Sequence, residues 1–289
     1  MNKFNRRNKK LKKNVFWMAR FWIPILVLAL VPLGISYLVY RALTVKETVK
    51  LIDTNYFTRA VYEFIPNHNF GVFFILWVLV SIGTFTFIRK TKKTEVFNDN
   101  QSVYFDNCYW MLWIAANVLG YKKLQLIGVS IPLQFDLVMN GTFSEFLAES
   151  STTQYEKFDG DIIVSKETTK GNEDKVLNVL ICDTYDISFK QLATNFKEYS
   201  VLKISSNKVG SGVRYDNPQL VKRVREEMFK VARKYVELNL FLTTNPQNNL
   251  KIIGTSFLAL DRSGFKKISV VQMNNDHIYK EPHTIFNTR

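Results

Sequence analysis

The sequence predicts an α/β protein: an N-terminal two-helix transmembrane hairpin followed by a cytoplasmic α/β domain with a mixed, partly parallel sheet. Two uncharged apolar runs, residues 21–40 and 70–88, predict the hairpin. Short apolar runs alternating with amphipathic stretches after residue 124 predict the sheet. Cations crowded beside the apolar runs predict which way the hairpin faces.

Residues 1–20 form a basic tail. They contain Lys3, Arg6, Arg7, Lys9, Lys10, Lys12, Lys13 and Arg20 and no acid. The first span, 21–40, follows. Twenty residues at about 1.5 Å each cover roughly 30 Å, the thickness of a bilayer's hydrocarbon core. Pro24 sits near its start and Pro32 inside it, where a bend is expected. Residues 41–69 read as an external loop with an amphipathic helix, because 42–69 carry three acids and three cations and Val45, Val49, Ile52, Tyr56, Ala60 and Phe64 recur at steps of three and four. The second span, 70–88, offers small residues (Gly71, Ser81, Gly83) for close helix approach. Arg89, Lys90, Lys92 and Lys93 open a basic, polar linker over 89–107.

Both basic blocks flank spans on the side that retains positive charge. The chain is therefore expected in the cell membrane, multi-pass, with its N- and C-termini cytoplasmic. The net charge of +14 raises the question of nucleic acid, but the two blocks hold twelve cations and leave about +2 for the rest. The expected partner of that charge is the lipid bilayer, and nucleic acid is disfavoured. A signal peptide is disfavoured by the length of the first run and by the second span.

The α/β domain is placed at 108–289. Residues 109–119 (YWMLWIAANVL) are apolar all round and too few to span, so they read as a core helix or an interfacial one, with core the more ordinary outcome. Strands are expected at 124–131, 161–165, 176–182, 201–205, 238–243, 250–255 and 267–271, and helices at 142–149 and 188–196. A longer helix is expected from Asn217-Pro218 to about Glu237. The run 176–182 (VLNVLIC) is apolar enough for the middle of a sheet covered on both faces. From Asn245 onward the strands are expected to pair antiparallel.

Ligands of open α/β sheets lie beyond the carboxyl ends of the strands. Two such ends carry candidates. Asp183, Thr184 and Asp186 follow 176–182 and offer two carboxylates and a hydroxyl; alternatively they cap and turn. Lys208, Gly210, Ser211, Gly212 and Arg214 form a glycine-containing loop before a helix N-terminus, which suits an anion, although neither GxxxxGK[ST] nor GxGxxG is present. Cys108, Cys182 and three scattered histidines make no metal set, and neither a metal site nor a cofactor is expected.

Three readings of function follow. The first is a scaffold or subunit that holds the α/β domain at the membrane for protein partners or self-association through the hairpin. The second is a ligand-gated membrane effector whose α/β domain senses a nucleotide or other anionic ligand and alters the assembly of the spans. The third is a membrane-tethered enzyme using Asp183 and Asp186. The lack of a strong catalytic constellation favours a non-enzyme.

Overall fold

The structure, a computed structural model, describes residues 11–42, 56, 59, 68–99, 103–105, 108–149, 155–168, 175–211, 213–258 and 264–288. Arg6, Arg7, Lys9, Lys10 and Gly212 lie outside those residues, as does most of the expected external loop and its amphipathic helix. The chain divides into two compact units. One joins Met1–Phe97 with Trp110–Lys123, and the other joins Asn98–Tyr109 with Leu124–Arg289. Trp110–Lys123, read from the sequence as part of the α/β domain, thus groups with the apolar helices.

In the first unit, two helices are long and apolar enough to cross a membrane, Leu11–Arg41 and Phe73–Lys92. The first contains a π-helical turn, Met18–Trp22, and continues as α1, Ile23–Ala42. Pro32 lies inside α1 without ending it. The second apolar helix is α2, His68–Lys92. Two contacts at opposite ends make the pair an antiparallel hairpin. The rings of Tyr40 and Phe73 meet edge-on at 6.4 Å, and Arg20 pairs with Glu95. Gly83 is not part of the helix contact: a Cβ there would meet nothing within 4 Å. The short helix α3, Tyr109–Asn117, contributes buried Leu112, Ala115 and Ala116.

The second unit is built on a six-stranded sheet. Outside it, β1 (Lys123–Gln125) pairs with β2 (Glu145–Leu147) and β3 (Glu156–Lys157) with β7 (Tyr215–Asp216); its own strands are β4 (Ile162–Glu167), β5 (Val176–Cys182), β6 (Ser200–Ser206), β8 (Glu237–Leu242), β9 (Lys267–Met273) and β10 (Tyr279–Asn287), in the order β10-β9-β8-β5-β6-β4. The four inner strands are parallel and each edge strand is antiparallel to its neighbour. β5 is central and covered on both faces, as its unbroken apolar run requires. Leu177, Val179 and Ile181 enter one core cluster with Leu220, Val224 and Met228 of helix α5, Pro218–Val231. Leu180 and Cys182 enter a second cluster with Ile187, Phe196, Phe241 and Tyr279. Burying each such side chain favours folding by about 1.5–3 kcal/mol. The one polar residue inside β5, Asn178, is satisfied by the Phe196 carbonyl at 2.6 Å and by the Asn239 amide at 3.1 Å.

Four expectations are corrected. The strand expected at 124–131 is only β1, Lys123–Gln125. Gly128 takes φ +87°, which breaks the extended run, and Ser130-Ile131-Pro132 starts helix α4, Ile131–Met139. The helix expected at 142–149 is strand β2, Glu145–Leu147, paired with β1. Gly141 at φ +56° turns the chain back from α4, leaving too few residues for a helix nucleus. The strand expected at 250–255 is helix α6, Pro246–Ile252, with a π turn after it. Asn245 accepts from Asn248 N and Pro246 follows, the same cap as at Asn217-Pro218. Finally, α5 stops at Val231 rather than near Glu237, where β8 begins.

Candidate functional site

The carboxyl ends of the parallel strands carry a buried polar network. Asp183, directly after β5, is 4% exposed. Its Oδ1 accepts from Asn217 Nδ2 at 3.0 Å and its Oδ2 from Asn248 Nδ2 at 2.7 Å. Asn217 caps α5 by accepting from Leu220 N at 2.9 Å, and its own N–H donates to Asn248 Oδ1 at 3.0 Å. Asn248 and Asn245 both donate to the Tyr215 carbonyl, at 2.9 and 2.7 Å. Asn249 reaches Gln134 Oε1 at 3.0 Å and accepts from Thr244. Burial pushes the Asp183 carboxyl above its ordinary pKa, and the two amides pull the other way. Asp183 is thus the knot that ties the starts of α5 and α6 to β5.

Asp186 lies elsewhere. Its carboxylate is 55% exposed and pairs with Lys203 at 2.7 Å. The two carboxylates are held by different partners and do not converge on one cation or one substrate hydroxyl. Among the described residues no group of three or more His, Cys, Asp or Glu could hold a metal. Cys182 is buried, which pushes its thiol up to about 12 and leaves it a core side chain.

The glycine-containing loop is largely committed to itself. Gly210, at φ +86°, donates its N–H to the Thr184 carbonyl at 3.1 Å. Ser211 Oγ accepts from Val213 N at 3.3 Å. The Lys208 ammonium sits over the rings of Phe158 and Tyr215, at 5.7 and 5.5 Å. Thr184 and Arg214 are different, because both line a cleft.

That cleft has a volume of ≈ 390 Å³ and lies across the carboxyl ends of β5, β8 and β9. Thr184 and Tyr185 follow β5, Thr243, Thr244 and Asn245 follow β8, and Gln272 lies in β9. Its opposite wall is Tyr104 with Ile127–Pro132, the N-terminal end of α4. Ser130 precedes α4 without a side-chain cap, so its hydroxyl is not spent on the helix. Gly128 is required here: a Cβ would lie 2.6 Å from the Val103 carbonyl oxygen. Tyr279 is buried beside the cleft, and burial raises its phenol to about 12. A helix N-terminus, an exposed guanidinium, hydroxyls and tyrosine rings together suit a ligand with an anionic part and a flat part.

From the sequence, Thr184 and Arg214 were the candidates that reach this cleft. Ser130, Thr244 and Asn245 were not singled out there. Asn245-Pro246 was the available signal, being the same helix start as Asn217-Pro218. Tyr104 and Ser130 carried none, since they meet the strands only in the tertiary structure.

Of the cations expected from the sequence to orient the hairpin, Arg20 and Lys92 both reach Glu95 at one end of it. Arg89 donates to the Asn117 carbonyl and lies over the Phe85 ring at 5.2 Å. Lys12 and Lys13 precede the π turn on the same helix, and Lys90 and Lys93 are exposed.

No curated protein matches this chain. Solved structures similar to it include the Acinetobacter baumannii Cap4 SAVED/CARF-domain containing receptor with the cyclic trinucleotide 2′3′3′-cAAA, at 12% identity and a TM-score of 0.42, covering 62% of this chain and 42% of that one. The same receptor with 3′3′3′-cAAA gives the same values. The receptor described without a ligand gives 11% identity and a TM-score of 0.36, covering 62% of this chain and 39% of that one. The chain thus spans less than half the length of these structures, and likeness at this level carries no argument about function. The family described as "SMODS- and Ubiquitin system-associated 2TM effector domain" matches residues 6–286. With two helices long and apolar enough to cross a membrane ahead of a mixed α/β unit, this chain belongs to that family of membrane effector domains.

Proposed function

We propose that this protein is a ligand-gated membrane effector: the cleft of the sheet unit takes a nucleotide or a similar anionic ligand, and its occupation alters how the two membrane helices assemble. The observation that carries the reading is the cleft itself, at the carboxyl ends of parallel strands and lined by Arg214, the N-terminal end of α4 and exposed tyrosines. A guanidinium and a helix N-terminus favour phosphate oxygens, and tyrosine faces favour a base. The membership in a family of effector domains supports the second half of the proposal.

The path of the chain supports coupling. Tyr104 and Ile127–Pro132 line the cleft, while the residues between them, Trp110–Lys123, belong to the unit that carries the spans. A shift of this one cleft wall therefore reaches a segment of the membrane unit through few covalent links. On the spans, Gly34 and Gly83 present open space where a side chain would sit, which leaves faces for contact with another hairpin. The cells' inner membrane face is the proposed site of the sheet unit, from the cation bias.

Calorimetry of the full chain in detergent against linear and cyclic nucleotides tests the binding half. Saturable binding is expected, weakened in Arg214→Gln. The absence of heat with every nucleotide, with and without Mg²⁺, returns the protein to a scaffold with a fixed assembly.

A further inference from the structure

We propose that α3 is a third membrane contact, lying in the interface of the leaflet at the basic end of the hairpin, with Trp110 and Trp113 among the lipid headgroups. Its sequence, YWMLWIAAN, holds no charged residue. One face is buried through Leu112, Ala115 and Ala116. The other is a stripe at steps of three and four, Trp110, Trp113 and Asn117, with the tryptophans 55% and 47% exposed. A helix stripe that faces water carries charge; a stripe of tryptophan belongs at a bilayer surface.

The position of α3 within its unit names the occupant. The Trp110 ring meets Phe21 edge-on at 6.1 Å, just ahead of α1. At its other end, the Asn117 carbonyl accepts from Arg89 in the last turns of α2. Gly120 follows at φ +86°, so close that a Cβ would be 3.0 Å from the Arg89 Cα. Tyr121 donates to the Arg20 carbonyl at 3.2 Å and packs on Phe97 at 5.0 Å. The helix therefore lies across the ends of both spans, where the hydrocarbon gives way to headgroups. Met18 and Trp22 are also exposed, on the π turn that carries Phe21. Lys90, Lys93, Lys122 and Lys123 belong to the same unit, which matches an anionic leaflet.

The test places a nitroxide on Trp113→Cys, and separately on Trp110→Cys, in full-length protein carrying Cys108→Ser. The protein is reconstituted in phosphatidylcholine–phosphatidylglycerol vesicles, and collision rates with oxygen and with a water-soluble nickel chelate are read by electron paramagnetic resonance. Lys190→Cys, exposed on the sheet unit, serves as the aqueous reference. Unchanged elution and melting confirm that each variant is folded. The expected result is a ratio of oxygen to nickel collisions several-fold above the reference at both tryptophan positions. A ratio equal to the reference overturns the proposal by placing the stripe in water. Low collision with both reagents overturns it by placing the stripe under protein, including a second copy.

Discussion

Asn248 Nδ2 donates to Asp183 Oδ2 at 2.7 Å while Asn217 Nδ2 donates to Oδ1 at 3.0 Å, so one buried carboxylate joins the first turns of two helices to the central strand. Removing it leaves two buried amides without acceptors. Asp183→Ala is expected to lower stability by about 2–4 kcal/mol, since each unsatisfied buried group costs about 1–3 kcal/mol. Denaturant unfolding of the full chain in micelles measures it. A variant of unchanged stability would remove Asp183 from the framework.

The same carboxylate sets a pH dependence. Burial raises its folded pKa above the unfolded value, so the folded state binds the extra proton between the two. The contribution of Asp183 to stability is therefore greatest at low pH, falls as pH rises from the ordinary carboxylate range to the folded pKa, and is level above it. Asp136 is shifted in the same direction, mainly by burial. Comparing melting against pH for the wild type and Asp183→Asn isolates the difference: the slope just above the carboxylate range is expected to shrink.

Cys182 is fully buried with its thiol pushed up to about 12, whereas Cys108 is partly exposed. At pH 8 a thiol-reactive dye is expected to label Cys108 at least about 100-fold faster than Cys182 in the folded protein. Peptide mapping of the labelled chain measures both. Comparable rates would mean that the β5 core opens readily.

Gly128 holds the turn between β1 and α4 at φ +87° against the Val103 carbonyl. Gly128→Ala is expected to cost at least about 2 kcal/mol and to weaken ligand binding, because the cleft wall moves with the turn. Melting and calorimetry on the same preparation give both values.

Local signals in the sequence located much of the fold. The apolar run of β5 was found at its observed bounds, because continuous burial on both faces leaves an uninterrupted pattern. Asn217-Pro218 marked the start of α5 for a covalent reason: proline's missing N–H costs nothing at that position. The errors came where the period was ambiguous. Ile252 and Ile253 pack into the core from a helix, and their short apolar run reads equally well as a strand. Residues 142–149 read as a short helix, but after the turn at Gly141 Phe146 lies in β2, beside β1. The candidate site was half legible. Asp183 stood out as a strand-end acid, but its role depends on Asn248, 65 residues away. Thr184 and Arg214 reach the cleft, while its far wall, Tyr104 and Ser130, is brought there by topology alone.

Cross-linking between hairpins tests the gating claim most directly. Gly83→Cys in the Cys108→Ser background, in vesicles, is oxidised with and without a saturating nucleotide identified by calorimetry. The expected result is a cross-linked dimer whose yield changes on nucleotide addition, with no change in the Arg214→Gln variant. An identical yield with and without nucleotide, in protein shown to bind it, would contradict gating and leave the cleft a binding site uncoupled from the membrane helices.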